Sequence, residues 1–405
     1  MDGFVVAVIG GGFSGLVLAN SLSARLKSKT IIFEKLDRVG KKILATGNGR
    51  GNFTNTKLDL YNYHGGDPSF ARYALKKYDN KAIRGFFDDL GVSSTEEDGR
   101  VFPASLQANA LLDALRLSLG KTTVSVCSPV TKINRCDGGF IVSSEKNVCF
   151  AKAVVLCAGG KSSPHLGSDG SGYELVKPFG HFVAECYPTL VRMRVERSVT
   201  KGLVGIKHYA SVTLCDGDGA IKTATGDFLF ADGKVSGNTV FSLSSYLPAL
   251  RRPRIVVDFI TQSDTSCVIA SLIKRVEKFP DEPSSFLLSG VVHSALAAKV
   301  AAKLFDKKKM RELTARDLER AVSALKNYSI DISGCGAFDE AQVTRGGVAT
   351  KDVSDRTMMS KLVDNLYICG EMLDVDGDCG GYNLQWAFSS AKVAADDINE
   401  RFDNR

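Results

Sequence analysis

The pattern of apolar positions changes from strand to helix and back within the first 35 residues. Residues 4–9 form a continuous apolar, β-branched run, which predicts a buried parallel strand. Residues 16–22 have apolar side chains at helical spacing, and residues 30–33 predict a second strand. The order of strand, helix and strand predicts a βαβ unit and therefore an α/β fold with a parallel sheet.

Helical and extended patterns follow in turn. Residues 70–90 have helical periodicity that Gly91 ends, and Ser105 is a candidate N-cap for a helix over residues 106–119. Residues 153–158 predict a further buried strand. Shorter extended patterns lie between these elements, at residues 123–127, 130–134 and 140–143.

The pattern changes twice in the second half of the chain. Residues 189–259 alternate as short strands, which predicts an antiparallel β unit, and residues 263–325 have the spacing of a small helical module. A strand at 365–371 and a final helix at 384–402 return to α/β character. The predicted parallel sheet is therefore completed by the C-terminal residues.

The loop after the first predicted strand carries a glycine motif. Gly10, Gly12 and Gly15 fit G-x-G-x-x-G, and Glu34 ends the second strand about twenty residues later. The glycines permit a tight turn, the approach of a pyrophosphate and close packing of helix on strand. The Glu34 carboxylate is suited to accept hydrogen bonds from the hydroxyls of an adenosine ribose. The order of these parts favours an adenine dinucleotide over a purely structural glycine turn.

Three other segments offer polar groups to such a cofactor. Residues 38–55 are rich in Gly, Asn, Lys and Arg, and we interpret them as a second cradle rather than a surface loop. Ala158 and Gly159 follow a buried strand, where a second backbone approach to the cofactor is expected. Residues 374–383 form a glycine-rich turn into a helix N-terminus, which suits the electron-rich end of a flavin. Their three aspartates lack the spacing of a calcium loop.

The composition of the chain excludes several classes of protein. The chain has 405 residues, of which 44% are hydrophobic and 24% charged, which is typical of globular domains. It lacks an apolar run long enough for a membrane span and a signal-peptide pattern, so the expected location is the cytoplasm. Ten cysteines without C-x-x-C predict free thiols rather than dithiol chemistry or a metal site.

The net charge of +7 raises the question of a nucleic-acid partner. Most basic residues are dispersed, and we interpret the densest run, Lys307-Lys308-Lys309, as a solvated helix face. A basic cavity for an anionic cofactor would use the same charge. The sequence therefore favours a small-molecule substrate over nucleic acid and gives no prediction of oligomeric state.

Several motifs together resemble one flavoprotein family. The family is that of FAD-dependent oxidoreductases that includes aminoacetone-oxidase-like proteins and BaiN-type bile-acid reductases. The resemblance covers most of the chain and is weakest over the helical module. It rests on Gly10-Gly11-Gly12-x-Ser14-Gly15, Lys42-Ile43-Leu44, Gly47-x-Gly49-Arg50-x-Asn52-x-Thr54-Asn55, Cys157-Ala158-Gly159-Gly160, Gly226-Asp227-Phe228 and the run from Gly370 to Leu384.

The resemblance implies a Rossmann-like FAD-binding domain interrupted by a β-barrel-like insert and a small helical insert. The predicted boundaries are 1–187 and 338–405 for the FAD-binding domain, 188–262 for the β-barrel-like insert and 263–337 for the helical insert. The family usually has cysteine where this chain has Gly51. The residues that the resemblance places on FAD are Gly10, Gly12, Ser14, Gly15, Glu34, Lys35, Lys42, Arg50, Asn52, Thr54, Asn55, Val130 through its backbone, Gly370, Glu371, Asp374, Gly381, Asn383 and Leu384.

The function predicted from these observations is an FAD-dependent oxidoreductase that transfers a hydride between flavin N5 and a small organic substrate. NAD(P)H is the expected transient electron donor, although no second dinucleotide motif is present. The alternatives are an amine-type oxidase that uses oxygen and a flavin-bearing binding or regulatory protein with a basic surface. Arg345 and Tyr382 are pocket candidates that a structural role would explain equally well. Cys379 is a third candidate near the flavin, but it has no partner cysteine in the sequence, so we favour packing of a small residue at this position. No catalytic acid or base is predicted.

Overall fold

The computed structural model describes residues 2–305 and 308–403. The chain separates into two compact units: a first unit of Met1–Thr189 with Phe338–Arg405, and a second unit of Leu190–Ala337. The strands are β1 (Asp2–Ile9), β2 (Thr30–Phe33), β3 (Thr54–Asn55), β4 (Tyr63–His64), β5 (Ser94–Glu97), β6 (Arg100–Pro103), β7 (Thr123–Ser125), β8 (Val130–Cys136), β9 (Gly139–Ser144), β10 (Val148–Leu156), β11 (Val183–Thr189), β12 (Met193–Arg194), β13 (Lys207–Asp216), β14 (Gly219–Ala231), β15 (Lys234–Ser236), β16 (Pro253–Asp258), β17 (Tyr328–Asp331), β18 (Gly334–Cys335), β19 (Val343–Val348), β20 (Leu366–Ile368) and β21 (Asp376–Gly377). The α-helices are α1 (Phe13–Ser21), α2 (Ala24–Lys27), α3 (Lys41–Ala45), α4 (Arg72–Lys77), α5 (Asn80–Asp89), α6 (Ala108–Leu117), α7 (Ser171–Val176), α8 (Arg197–Thr200), α9 (Asn238–Ser244), α10 (Thr265–Lys278), α11 (Ser294–Phe305), α12 (Ala315–Lys326) and α13 (Tyr382–Phe402).

The main sheet of the first unit has the strand order β7-β2-β1-β10-β9-β8. Strands β7, β2, β1 and β10 run parallel, and β20 adds to the C-terminal half of β10 in the same direction. The chain continues from β1 to β2 on one side, while β10 lies on the other side. This reversal creates a crevice at the carboxyl ends of β1 and β10, which is the usual ligand position in open α/β sheets.

Helices α1 and α13 cover this sheet. Helix α1 is buried along most of its length, because its residues from Phe13 to Ala19 are apolar or small on every side. Trp386 of α13 is 1% exposed, and its indole nitrogen donates to the Gly370 carbonyl at 3.1 Å. The end of β20 is therefore tied to the last helix of the chain.

The predicted helix over residues 70–90 is two helices, α4 and α5. The break falls at Asp79, whose carboxylate accepts hydrogen bonds from the backbone N–H groups of Lys81 and Ala82. The first N–H groups of a helix have no carbonyl partner within the helix, and the Asp79 carboxylate satisfies two of them, which stabilises a new helix start at this point. Gly91 ends α5 in a left-handed conformation, as predicted.

The prediction of Ser105 as an N-cap was wrong. Helix α6 begins at Ala108, with Gln107 in the capping position and no capping side chain. The backbone N–H of Leu106 donates to the Pro103 carbonyl at 2.8 Å, and Leu106 has φ +55°. This turn spans residues 103–106, where a helix capped by Ser105 would have to begin.

The second unit is a seven-stranded sheet with helices on one face. The strand order is β17-β16-β13-β14-β15-β12-β18, so the two end strands come from the segment after α12. Apolar side chains of the sheet, such as Phe228 and Val257, pack with Leu272, Leu296 and Val322 of the helices in one core. The opposite sheet face carries polar side chains, since strand residues alternate between faces.

A membrane-crossing helix is absent from the described residues, because none of their helices combines the necessary length and apolar character.

Candidate functional site

Each glycine of the motif after β1 has a separate structural role. A Cβ at Gly10 would overlap the Cys157 carbonyl oxygen, and one at Gly15 would overlap the Gly10 carbonyl oxygen. A Cβ at Gly12 would meet no atom within 4 Å, and Gly12 is the N-cap of α1 without a capping side chain. Open space beside the positive end of a helix suits an anionic pyrophosphate. The glycine loop therefore fits the phosphate part of a dinucleotide.

Glu34 lies at the end of β2, against this loop. Its carboxylate accepts hydrogen bonds from the N–H groups of Gly11 at 3.0 Å and Leu36 at 2.8 Å. Burial raises the pKa of Glu34, and these two N–H donors oppose that rise. The backbone of Ser128, two residues before Val130, donates to the Glu34 carbonyl at 2.9 Å. The structure thus brings the Val130 backbone into the neighbourhood of the predicted ribose acid.

The ends of β10 and β20 meet the start of α1. Ala158 and Gly159 follow β10, and a Cβ at Gly159, which has φ +74°, would lie 2.9 Å from the Ser168 hydroxyl. Gly370 follows β20, and a Cβ there would overlap the Ser14 hydroxyl. Three segments predicted to hold the cofactor therefore converge at one edge of the sheet.

Lys35 and Lys42 form ion pairs across this edge. Lys42 lies 2.8 Å from a carboxylate oxygen of Glu371, whose other oxygen accepts from the Thr344 N–H at 3.0 Å. Lys35 pairs with Asp169 at 2.5 Å in the loop that follows β10. The side chains of Lys35 and Lys42 are about one quarter exposed, so they are held by acids rather than extended into solvent.

The polar residues around β3 hold the glycine turn before α13. Asn52 donates to the Thr54 and Val101 carbonyls, each at 3.0 Å. Thr54 donates to Gln385 at 2.5 Å, and Asn55 donates to the Gly380 carbonyl at 3.0 Å. Thr54 and Asn55 therefore position the start of α13 and the turn before it, whereas Asn52 holds β3 and β6 together.

Arg50 lies apart from that turn. Its guanidinium pairs with Glu97 at 2.6 Å and stacks on the Phe102 ring at 4.3 Å. At the neighbouring Gly51, φ is +76° and a Cβ would lie 2.8 Å from the Ala108 Cα. A cysteine at that position would require α6 to move, which accounts for the glycine in this chain.

The remaining predicted residues surround the start of α13. Asn383 bonds both polar groups of Gly377, accepting at 2.8 Å and donating at 2.7 Å. Gly381 is the N-cap of α13 with φ +99°, and Leu384 packs against the core. The Tyr382 hydroxyl donates to the Lys57 carbonyl at 3.2 Å, and burial raises its pKa to about 12. Tyr382 is therefore part of the packing.

A cleft of about 420 Å³ lies beside these elements in the first unit. Strand β11 contributes Glu185 and Tyr187, and β19 contributes Arg345 directly opposite Tyr187. Cys379 and Tyr382 are not among the residues that line this cleft, whereas Arg345 and Asp374 are. The lining residues are His64, Gly65, Gly66, Pro68, Ala184, Glu185, Tyr187, Arg345, Gly346 and Asp374.

Carboxylates fix the polar side chains of the cleft. Arg345 donates to both oxygens of Asp376, at 3.0 and 2.9 Å, and Asp376 is only 1% exposed. His64 lies 2.8 Å from Asp378. The Tyr187 hydroxyl is bonded to Glu185, which raises the pKa of Tyr187. The cleft therefore presents side chains whose orientation is set before any ligand arrives.

The predicted segment with three aspartates is explained by these contacts. Asp374 accepts from the Gly66 N–H at 2.9 Å, while Asp376 and Asp378 hold Arg345 and His64. Burial raises the pKa of Asp374, and the Gly66 N–H opposes that rise. Sequence reasoning missed His64, Glu185, Tyr187 and Asp376. The only available signal was the two-residue spacing of the aspartates, which points alternate side chains to the same face of an extended segment.

The Cys379 thiol leads to a chemical prediction. Burial raises its pKa to about 11, so the thiolate fraction near pH 7.5 is below roughly one part in 1,000. We expect brief treatment with N-ethylmaleimide at that pH to modify the exposed Cys267 and to leave Cys379 unmodified. Peptide mass spectrometry measures both sites in one sample. Labelling of Cys379 as fast as Cys267 would contradict the assignment of Cys379 to packing.

The fold and the glycine loop, with open space at Gly12 and an acid at Glu34, define the FAD-dependent oxidoreductases with a Rossmann-like FAD-binding domain. Residues 4–397 match the model of the HI0933-like protein Rossmann domain, and the chain belongs to this family. The predicted family, fold class and enzyme class are thereby confirmed.

Three characterised relatives match nearly the whole chain. The 3-dehydro-bile acid delta(4,6)-reductase of Clostridium scindens is 33% identical, covering 98% of this chain and 99% of the relative. The ribosomal RNA dihydrouridine synthase of Escherichia coli is 26% identical, covering 98% of both chains. The ribosomal RNA dihydrouridine synthase of Haemophilus influenzae is 27% identical, covering 97% of this chain and 98% of the relative.

Solved structures support the fold. A quinol-fumarate reductase has a TM-score of 0.51 at 12% identity, covering 99% of this chain and 72% of the other. The 3-ketosteroid delta1-dehydrogenase of Sterolibacterium denitrificans has a TM-score of 0.50 at 11% identity, covering 99% of this chain and all of the other. At these identities the likeness concerns the fold alone.

Proposed function

We propose that this protein is an NAD(P)H-dependent FAD enzyme that reduces a carbon–carbon double bond conjugated to a carbonyl group. The observation that carries the proposal is the Arg345 guanidinium, fixed at the cleft by the buried Asp376. The relative named as a bile acid reductase supports the same type of reaction. Bound FAD would supply the redox step, because the flavin transfers a hydride at N5.

Arg345 suits the negative charge that such a reaction creates. When a hydride adds to the far carbon of the double bond, charge develops on the carbonyl oxygen. A guanidinium carries five N–H donors in a rigid plane, and Asp376 holds two of its nitrogens in fixed positions. A cation that is already oriented stabilises developing charge without reorganisation. We therefore assign the carbonyl oxygen of the substrate to Arg345.

The reduction also needs a proton at the carbon next to the carbonyl. His64 and Tyr187 line the same cleft, and each holds an exchangeable proton. Asp378 accepts from Nε2 of His64, which fixes the ring orientation. The raised pKa of Tyr187 keeps its hydroxyl protonated at neutral pH. These two side chains are the candidate proton donors.

A uracil base in RNA is a second candidate substrate. Its ring also contains a double bond conjugated to a carbonyl, so the same cleft chemistry would serve. Two relatives that match nearly the whole chain are named as ribosomal RNA dihydrouridine synthases. The net charge of +7 suits a polyanionic partner better than a small neutral one. This candidate departs from the sequence-based preference for small molecules.

Two half-reactions test the proposal. Anaerobic addition of NADH and then NADPH to the purified protein should bleach the flavin spectrum. The reduced protein is then mixed with a 3-oxo-4-ene steroid, with a uridine-containing RNA or with oxygen. We expect one of the two conjugated acceptors to restore the spectrum faster than oxygen does. Reoxidation by oxygen alone, or bleaching by an amine instead of NAD(P)H, would support the oxidase alternative and contradict the proposal.

A further inference from the structure

The net charge of the protein is confined to the second unit. Residues 190–337 contain 22 Lys and Arg against 15 Asp and Glu, whereas the rest of the chain contains 30 of each. The first unit therefore has no formal net charge, and the second carries all of the +7. A cofactor site in the first unit does not account for this distribution.

Part of this charge is concentrated around β12, β15, α8 and α11. Arg194 of β12 lies directly opposite Lys234 of β15, on the sheet face that points away from the core. The turn between β14 and β15 contacts Arg197 of α8. We call this group the basic cluster, and its members are Arg194, Arg197, Lys201, Lys299 and Lys303.

Helix α11 brings two lysines close to α8. The Lys299 ammonium donates to the carbonyls of Ser198, Val199 and Lys201, at 2.6, 2.9 and 3.0 Å. Burial and the charge of Lys201 lower the pKa of Lys299. Lys303 follows one turn later on α11 and therefore lies on the same side of the helix. Positive charges are thus close enough to repel one another.

Acids compensate little of this charge. Arg197 pairs with Asp232 at 3.5 Å, but both side chains are more than two-thirds exposed, so the pair is weak. Arg194, Lys201 and Lys303 are exposed, and none of the three forms an ion pair within the described part of the chain. Exposed cations that form no ion pair contribute little to the stability of the free protein, but they favour an anionic partner.

We propose that the basic cluster is an RNA-binding surface that holds the phosphate backbone of the substrate RNA. The inference rests on the second candidate of the proposed function, a uracil base in RNA. Side chains from a strand, a short helix and a long helix give several cations in one region, as contacts to successive phosphates require. The exposed Val204, 58% accessible in the loop after Lys201, offers an apolar contact beside them.

Binding of a fluorescein-labelled uridine-containing RNA by the full-length protein tests this surface, with anisotropy as the readout. The test variant is Arg194→Gln/Lys201→Gln/Lys303→Gln, which removes three charges without introducing acids. We expect RNA affinity to fall at least about tenfold at low salt. The slope of log affinity against log salt should become shallower by about 2, since each phosphate contact to a single strand contributes about 0.7.

The matched control removes three exposed charges from the first unit. Lys121→Gln/Arg135→Gln/Lys152→Gln has the same net charge as the test variant, and these residues form no ion pairs in the described structure. We expect it to bind RNA within about twofold of the wild type. Flavin content and thermal midpoint of both variants establish that they fold. A Lys201→Arg variant should retain affinity because it keeps the charge.

Three results would overturn the assignment. The first is that the wild-type protein fails to bind the RNA at low salt. The second is that the two triple variants lose RNA affinity equally. The third is that anionic lipid vesicles bind as tightly as RNA and through the same three residues. None of these readouts depends on turnover. Failure of the RNA surface is therefore distinguishable from failure of the proposed reductase, which the flavin half-reactions measure separately.

Discussion

A Gly12→Val variant is expected to purify without bound FAD. The Gly12 position faces open space at the N-cap of α1, where the pyrophosphate of a dinucleotide is expected to lie. A valine side chain would fill that space and would keep phosphate oxygens from the N–H groups at the start of the helix. The flavin to protein absorbance ratio and the FAD released on denaturation measure the loss.

Gly85→Val is the matched control for this substitution. Gly85 lies in α5, is exposed, and would also meet no atom within 4 Å of an added Cβ. The control therefore introduces the same side chain into open space far along the chain from the motif, and it should retain FAD. Full flavin content in Gly12→Val, with FAD confirmed as the bound species, would contradict the placement of the dinucleotide.

An Arg345→Met variant is expected to lose both stability and activity. Asp376 is 1% exposed and would keep its negative charge without the guanidinium that now donates to both its oxygens. Leaving a buried charge unpaired lowers the free energy of unfolding by about 3 kcal/mol or more. Loss of the donor to a developing oxyanion should slow oxidation of the reduced flavin by the substrate about 10²- to 10³-fold.

Fluorescence of Trp386, the single tryptophan, follows unfolding of the first unit in urea. Arg116→Met serves as the control, because within the described residues Arg116 forms a single ion pair, with the exposed Asp113 at 4.0 Å. We expect that control to change stability by less than about 1 kcal/mol. Asp376→Leu in the Arg345→Met background should recover part of the loss, since the lone charge is then gone. Equal stability of Arg345→Met and wild type would contradict the stabilising role of the Arg345–Asp376 ion pair.

The parts of the fold that the sequence predicts are those encoded by neighbouring residues. The strand, the glycine motif and α1 lie within the first 21 residues, and a Cβ at Gly10 or Gly15 would overlap a nearby carbonyl oxygen. Glu34 is also predictable because the length of a βαβ unit sets its distance from the motif. The structure places all these residues around one loop, as the motif implies.

The cleft could not be predicted in the same way because its walls come from distant segments. Tyr187 faces Arg345 because β11 pairs with β19, and Asp376 reaches Arg345 because the segment before β21 lies against the end of β19, where the Asp374 N–H donates to the Val348 carbonyl. No local spacing encodes these pairings. The same reason explains why Thr54 bonds Gln385 of α13 and Asn55 bonds Gly380 in the turn before it, although the sequence gives no sign of either contact.

The helix boundaries show how side-chain hydrogen bonds override periodicity. The apolar pattern over residues 70–90 is continuous, but Asp79 caps a new helix and divides it. Ser105 has the chemistry of a cap, but the turn at Pro103 and Leu106 places the helix start two residues later. A capping side chain sets the first boundary, and a backbone turn sets the second.

The absorption spectrum of the purified wild-type protein, with identification of the released cofactor, tests the central claim most directly. We predict a flavin spectrum and release of FAD, because the chain belongs to an FAD-binding family and the glycine loop, Glu34 and the converging strand ends fit that dinucleotide. A protein that is colourless and remains so after incubation with FAD would contradict the account.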